Sequence, residues 1–165
     1  MYAITFATLG DLPEVASWVR SAEECERWAG TQVTFPIDLA ALPSTLGFTE
    51  QNAYAMTLDG AVVAFSQVVA KPKNRQHLAK FIVNPRFRGQ GYGRAFLHEL
   101  LKRTTADRIS LNVNEGNDIA ISLYVAAGFE FAERPPDQLA LPRTHYMEWR
   151  GLRTARVDTH HSRLL

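Results

Sequence analysis

The sequence predicts an α/β (or α+β) domain: a mixed central sheet of six to seven strands with a parallel centre and flanking helices. Three observations predict it. The stretch 53-AYAMTLDGAVVAFSQVVA-70 holds two β-rich runs that meet at Asp59-Gly60, the pair favoured by a tight hairpin turn. The run 77-HLAKFIV-83 is followed by a glycine-rich hexapeptide, a helical stretch and a second alternating run, 109-ISLNV-113. Strand, crossover helix and strand in that order imply a parallel pair with a right-handed connection. Finally, the 165 residues are 46% hydrophobic and 21% charged, enough apolar material for one sizeable core and ordinary for a soluble globular chain.

Each element follows in order. Residues 3–7, AITFA, read as a short strand. A helix is expected from 10-GDLPEVASWVR-20, with Asp11 as cap, Pro13 in the first turn and Val15, Trp18 and Val19 on one face. A second helical piece, 22-AEECERWAG-30, ends at a glycine. "TFPIDLAAL" suggests a loop entering a short helix capped by Asp38. The hairpin follows, then a polar break, "KPKNRQ", before the run 77–83. Phe96, Leu97, Leu100 and Leu101 fall at helical spacing, which predicts a helix to about residue 105. Asn117 or Asp118 caps a helix through Ala127, stopped by Gly128. A strand over 129–133, the loop "RPPDQLALPR" and a final strand over 145–150 complete the domain, expected to span 1–150. Residues 151–165 read as a basic, non-periodic C-terminal tail, with Leu164 and Leu165 as the contact of an expected homodimer.

Charge and cysteine usage bound the function. With 18 basic and 17 acidic residues the net charge is +1, so no general field draws nucleic acid or an anionic membrane, and an anion site must be local. The single cysteine, Cys25, excludes an internal disulfide and fits a reducing cytoplasm. No apolar run reaches the roughly 18 residues of a membrane helix. The first residues alternate like a strand and lack the pattern of a signal peptide. A cytoplasmic protein with neither nucleic-acid nor membrane partner is expected.

The informative stretch is 81-FIVNPRFRGQGYGRAFLHELL-101, in which Gly89, Gly91 and Gly93 join a strand to the start of a helix. Glycine weakens both element types, so three at alternate positions imply close approach of backbone to a ligand. Exposed N–H groups and the positive end of a helix dipole meet there, with Arg86 and Arg88 beside them, which points to a phosphate ester. The P-loop pattern is absent, since no Gly-Lys-Ser/Thr occurs, and the dinucleotide pattern fails as well, since the glycines run G-x-G-x-G and no acidic residue stands about 20 positions on at a strand end.

The stretch resembles motif A of the GCN5-related N-acetyltransferase (GNAT) family, Gln/Arg-x-x-Gly-x-Gly/Ala, read here as Arg88-Gly89-Gln90-Gly91-Tyr92-Gly93 after Val83-Asn84-Pro85. Downstream, 117-NDIAISLYVAAGF-129 resembles the same family's motif B. The resemblance implies the GNAT fold, in which the two central parallel strands splay apart, and acyl transfer from acetyl-CoA to an amine acceptor without a metal. It implies a cosubstrate site at Phe81, Ile82 and Val83, at Arg88, Gly89, Gln90, Gly91, Tyr92, Gly93 and Arg94, and at Asn117. The amides of 89–94 would hold the pyrophosphate, an amide near Val83 would polarise the thioester carbonyl, and Asn117 would contact the pantetheine arm. Tyr124 would protonate the departing thiolate.

The nearest pattern is that of the ribosomal-protein-alanine N-acetyltransferases, which place a glutamate twelve residues before the tyrosine; here that position is Asn112, which cannot act as a base. Histone-type members carry a glutamate six residues before the valine, and here that position is His77, a candidate base whose ordinary pKa of about 6.5 suits the task. A water chain is the other route for the proton. The competing class is a CoA-binding sensor that keeps the fold without turnover; Tyr124 weighs against it and Asn112 for it. Other residues have plain readings: Trp28 and Phe35 as core or lid packing, Glu23, Glu24 and Glu26 as a solvated helix face, Cys25 as a small buried hydrophobe, and His160 and His161 as tail.

Overall fold

A computed structural model describes residues 1–151. The C-terminal tail from 152, with His160, His161 and the expected dimer contact at Leu164 and Leu165, lies outside the described residues. The chain forms two compact units: Met1–Val69 with Leu78–Lys102, and Ala70–His77 with the chain from Arg103 onward. The division falls within strands. Among the described residues seven strands are hydrogen-bonded in the order β1-β2-β3-β4-β5-β7-β6, a mixed sheet with flanking helices.

The first unit opens with β1, Tyr2–Phe6, antiparallel to β2, Ala53–Leu58. Asp11 stands at the N-cap of the helix that follows, but its side chain makes no cap hydrogen bond there. Its Oδ2 accepts from the Thr8 backbone N at 2.8 Å and from Thr8 Oγ1 at 3.2 Å, closing a 3-10 turn over Leu9–Asp11. The carboxylate is spent one turn earlier than the spacing suggested, and α1 then runs Leu12–Ser17. In α2, Ala22–Ala29, Ser21 Oγ accepts from Glu24 N while the Glu24 carboxylate accepts from Arg20 N. That reciprocal cap buries Cys25, Trp28 and Ala29 on one face and leaves Glu23 and Glu26 outside. The Asp38 carboxylate accepts from Ala40 N, and the short helix α3 begins later than expected, at Leu42–Thr45. The core of this unit joins Leu12, Val15, Trp18, Cys25, Trp28, Leu42, Phe65 and Ile82.

Strand β2 meets β3, Ala61–Lys71, through Asp59 and Gly60, with φ of 49° and 82° as a type I′ turn requires. A second left-handed pair, Lys73 (φ 63°) and Asn74 (φ 53°), joins β3 to β4, Arg75–Val83; the polar break is a hairpin turn. Within β4, Lys80 has φ of 57°, an uncommon conformation for a side-chain-bearing residue inside a strand. The Trp28 indole donates to the Lys80 carbonyl at 3.0 Å and gives the kinked backbone a partner. Burial also holds the Lys80 ammonium below the ordinary lysine range.

β4 ends at Asn84, which is buried. Its N donates to Val63 O at 2.7 Å, its Nδ2 to Val62 O at 3.2 Å, its Oδ1 accepts from Arg86 N at 3.0 Å and its carbonyl from Phe87 N at 2.8 Å. A 3-10 turn over Pro85–Phe87 leads into the glycine loop and α4, Tyr92–Arg103, two residues shorter than expected. Phe96, Leu97, Leu100 and Leu101 form its buried face, and the Phe96 ring lies 5.5 Å from that of Phe81.

The second unit contains β5, Arg108–Asn114, antiparallel to β7, Thr144–Arg150, which also pairs with β6. Helix α5 spans Asp118–Ala126 with Asn117 as its cap. The expected strand 129–133 shrinks to β6, Glu130–Phe131. The reason lies at the helix end: Phe129 N donates to Tyr124 O at 3.0 Å and Gly128 N to Val125 O at 3.0 Å, the paired bonds of a Schellman cap. Phe129 gives its amide to the helix and its ring to the core, so pairing starts one residue later. Gly128 (φ 101°) is required twice, because a Cβ there would also stand 3.3 Å from the Trp149 ring.

Asn84→Ala is expected to lower the unfolding free energy by about 1–3 kcal/mol, since it strips buried backbone groups of their partners. Urea unfolding measures this, and a loss within error of zero would show that the turn holds without the side chain.

Candidate active site

The glycine loop lies wholly in the first unit. Gly89 (φ 74°) and Gly91 (φ 86°) both take the left-handed conformation, and a Cβ on either would meet no atom within 4 Å. The loop faces open space, its backbone is turned as only glycine turns readily, and it delivers the chain into a twelve-residue helix. The first-turn N–H groups of such a helix have no intrahelical acceptor. Gly93 sits within that first turn. These residues fit a diphosphate: exposed amides, a helix N-terminus and arginines at 86, 88 and 94.

Two side chains brace the loop. Arg88 Nε donates to the Val83 carbonyl at 3.0 Å, and Gln90 Nε2 to the Arg86 carbonyl at 3.3 Å. Arg88 therefore has a structural task that its spacing did not reveal, tying the loop to the end of β4. Tyr92 packs edge-on against Phe87, ring centres 5.9 Å apart. Phe81, Ile82 and Val83 form the last residues of β4, with Ile82 buried.

The second unit brings His77 together with residues of β5 and of the loop before β7. His77 Nδ1 lies 2.8 Å from Ser110 Oγ, and His77 Nε2 lies 3.4 Å from Asn112 Nδ2. Asn112 Oδ1 accepts from Arg134 Nη2 at 2.8 Å, and the same nitrogen donates to Thr144 Oγ1 at 3.1 Å. The Arg134 guanidinium stands 5.7 Å over the Tyr146 ring. Ser110 and Arg134 escape a reading of the sequence. Ser110 falls on a strand of alternating character, and Arg134 sits in an aperiodic Pro-rich loop 22 residues from its partner Asn112. The alternation puts Ser110 on the face opposite Ile109, Leu111 and Val113, so its burial shows only in the structure.

Tyr124 and Asn117 are both fixed by α5. Asn117 Oδ1 accepts from Ala120 N at 3.4 Å, so it serves as cap whatever else it contacts. Tyr124 is buried, and its ring meets Phe129 edge-on at 5.8 Å. The Schellman cap makes that contact, since it folds Phe129 back along the helix. Desolvation pushes the phenol well above the ordinary tyrosine range, so the hydroxyl is protonated at neutral pH.

Comparison with known proteins bears on this arrangement. An uncharacterized N-acetyltransferase of Bacillus subtilis (strain 168), YfmK, is 32% identical over 94 residues, which is 54% of this chain and 62% of that protein. The match thus spans less than two thirds of that relative's length. The ribosomal-protein-S18-alanine N-acetyltransferase of Escherichia coli superposes with a TM-score of 0.64 at 25% identity, covering 91% of this chain and 94% of that one. The spermidine N-acetyltransferase of Vibrio cholerae, solved in complex with CoA and spermine, shares the fold with a TM-score of 0.70 at 13% identity, over 89% of this chain and 94% of that one. A sequence model described as the acetyltransferase (GNAT) family matches residues 14–129, most of the chain including the glycine loop, His77 and Tyr124, and the protein belongs to that family.

Proposed function

We propose that the protein is an N-acetyltransferase that moves an acetyl group from acetyl-CoA directly to a primary amine, of a small molecule or of a protein or peptide, in a ternary complex. The observation that carries this reading is the glycine loop: two left-handed glycines facing open space at the start of a twelve-residue helix, in a chain of this family. Acetyl-CoA supplies the acetyl group as a thioester. The amides of residues 89–94 bind the diphosphate, helped by Arg88 and Arg94. Phe81, Ile82 and Val83 offer β4 backbone to the pantetheine arm, and Asn117 a side-chain contact. The amine nitrogen bonds to the acetyl carbon as the carbon–sulfur bond breaks. The amine proton passes to His77 or to water, and the Tyr124 hydroxyl returns a proton to the sulfur. The phenol carries its proton at neutral pH, as a donor must, although burial makes it a weaker acid than a solvated tyrosine. A cytoplasmic location is part of this reading, supported by the single cysteine, which fits a reducing compartment. No helix among the described residues is long and apolar enough to cross a membrane.

Asn112, an amide where a carboxylate base would serve, favours a second reading as a CoA-binding sensor without turnover. Thiol release from acetyl-CoA across a panel of polyamines, amino acids and peptides separates the two. Turnover on at least one amine is expected; tight CoA binding with no turnover on any would sink the transferase.

Three further outcomes follow from the site. Gly91→Val places a β-branched residue at a φ of 86° and is expected to abolish CoA binding in calorimetry, whereas Arg88→Ala weakens it by only about 1–3 kcal/mol. Near-normal affinity in Gly91→Val would remove the loop from the site. Tyr124→Phe keeps the ring and deletes the proton donor, so kcat is expected to fall about 10- to 1000-fold with CoA affinity nearly intact. Undiminished kcat would overturn the role of the phenol. The raised Tyr124 pKa also has a signature in stability. Below about pH 10 the phenol is protonated in both folded and unfolded chains; above it the unfolded chain releases the proton and the folded chain retains it. Stability is therefore lost as pH rises past about 10. Urea midpoints should fall more between about pH 8 and about pH 11 in the native sequence than in Tyr124→Phe. Equal losses would show an ordinary tyrosine.

A further inference from the structure

The side chains of Arg134, Asn112, His77 and Ser110 form a hydrogen-bonded series whose two ends have fixed polarity. A guanidinium only donates. Arg134 Nη2 donates to Asn112 Oδ1 at 2.8 Å and to Thr144 Oγ1 at 3.1 Å, and the Thr144 hydroxyl donates onward to the Leu141 carbonyl at 2.8 Å. Both hydrogens of Nη2 are thereby used, and Asn112 must turn its oxygen to Arg134. Its NH2 group then faces His77 Nε2, 3.4 Å away. An amide NH2 cannot accept, so Nε2 supplies a lone pair to it. At the far end, Ser110 Oγ donates to the Gln76 carbonyl, an acceptor only, at 3.5 Å. With its proton there, Ser110 accepts from His77 Nδ1 at 2.8 Å. Every link runs one way, from Arg134 through Asn112, His77 and Ser110 to Gln76.

We infer that Arg134, acting through Asn112, is a positioning residue that fixes His77 as the neutral imidazole protonated on Nδ1, leaving the Nε2 lone pair as the basic atom of the ring. This is the reverse of the tautomer that predominates for histidine free in water. Protonating Nε2 would set an N–H against the Asn112 NH2, and turning the amide over would set that NH2 against the guanidinium. Arg134 is the charged member of the series; Arg75, two residues before His77, is paired with Asp137 at 2.6 Å. The arrangement costs free energy, because Arg134 Nε is buried with no hydrogen-bond partner among the described residues. A guanidinium so placed is a poor device for stability and an effective one for directing an amide. The consequence for proton transfer rests on the proposed reaction, where a base needs a lone pair; the tautomer itself does not.

The test is the 15N spectrum of the full chain labelled at histidine, near neutral pH, with His77 identified by its loss in His77→Gln. His77 is expected to show a proton-bearing, pyrrole-type Nδ1 and a pyridine-type Nε2. In Asn112→Asp the carboxylate cannot donate, so the proton should move to Nε2. In Arg134→Met the amide is free to turn, and the single-tautomer pattern should give way to averaged signals. Proton-bearing Nε2 in the native sequence would overturn the inference, as would an unchanged His77 spectrum in Asn112→Asp. An unchanged spectrum in folded Arg134→Met would remove Arg134 from the control. None of these readouts needs turnover, so a protein that acetylates nothing yet shows His77 protonated on Nδ1 would end the transferase reading and leave this one standing.

Discussion

Asn84 commits all four of its hydrogen-bonding groups, two to the backbone of β3 and two to the turn that follows it. One buried side chain therefore decides where β4 stops, how the chain reverses and from which point the glycine loop departs. Buried backbone polar groups must be partnered, and a strand that ends inside a protein leaves several without a ladder. An asparagine offers a donor and an acceptor on a short stem, which is why it can close such an end where an apolar residue could not. The loop is then braced again by Arg88 on the Val83 carbonyl, so that its freedom is confined to the glycines themselves.

Similar reasoning connects the other site elements to their supports. The left-handed kink at Lys80 is an expensive backbone state whose carbonyl is answered by the Trp28 indole, a contact between residues 52 apart in sequence. Tyr124 is held by the cap of its own helix, in which Gly128 supplies the backbone conformation and Phe129 the packing. In both cases a strained or terminal position is paired with an aromatic residue that holds it. The buried phenol is a product of that packing, and its desolvation raises its pKa.

Much of this was legible in the chain. The Asp59-Gly60 pair announced its hairpin, Gly89 and Gly91 their strand-to-helix loop, and Gly128 the end of α5, because each depends on local backbone conformation that few residues can adopt. What escaped depends on distance. Lys73 and Asn74 also take positive φ in the three-residue turn after β3, but lysine carries no preference for that conformation, and only the pairing of β3 with β4 imposes it. Phe129 reads as a strand residue until the Schellman bonds claim its amide. The polarity of the His77 series could not be read at all, since it is set by a loop arginine whose position no periodicity foretells.

The two tight turns on either side of β3 carry a kinetic consequence. The first closes over Asp59 and Gly60 and the second over Pro72, Lys73 and Asn74, so β2, β3 and β4 can zip together at little loop-closure entropy, on the microsecond scale typical of hairpins. Pairing β5 with β7 instead waits for the whole of α5 and the Pro-rich loop to be gathered between them. The three-stranded meander is the natural nucleus, and hydrogen exchange pulsed during refolding would find its amides protected before those of β5. The strand that ends in the glycine loop would thus take shape among the earliest parts of the molecule, and the histidine series, which needs β5 and the loop before β7, among the last.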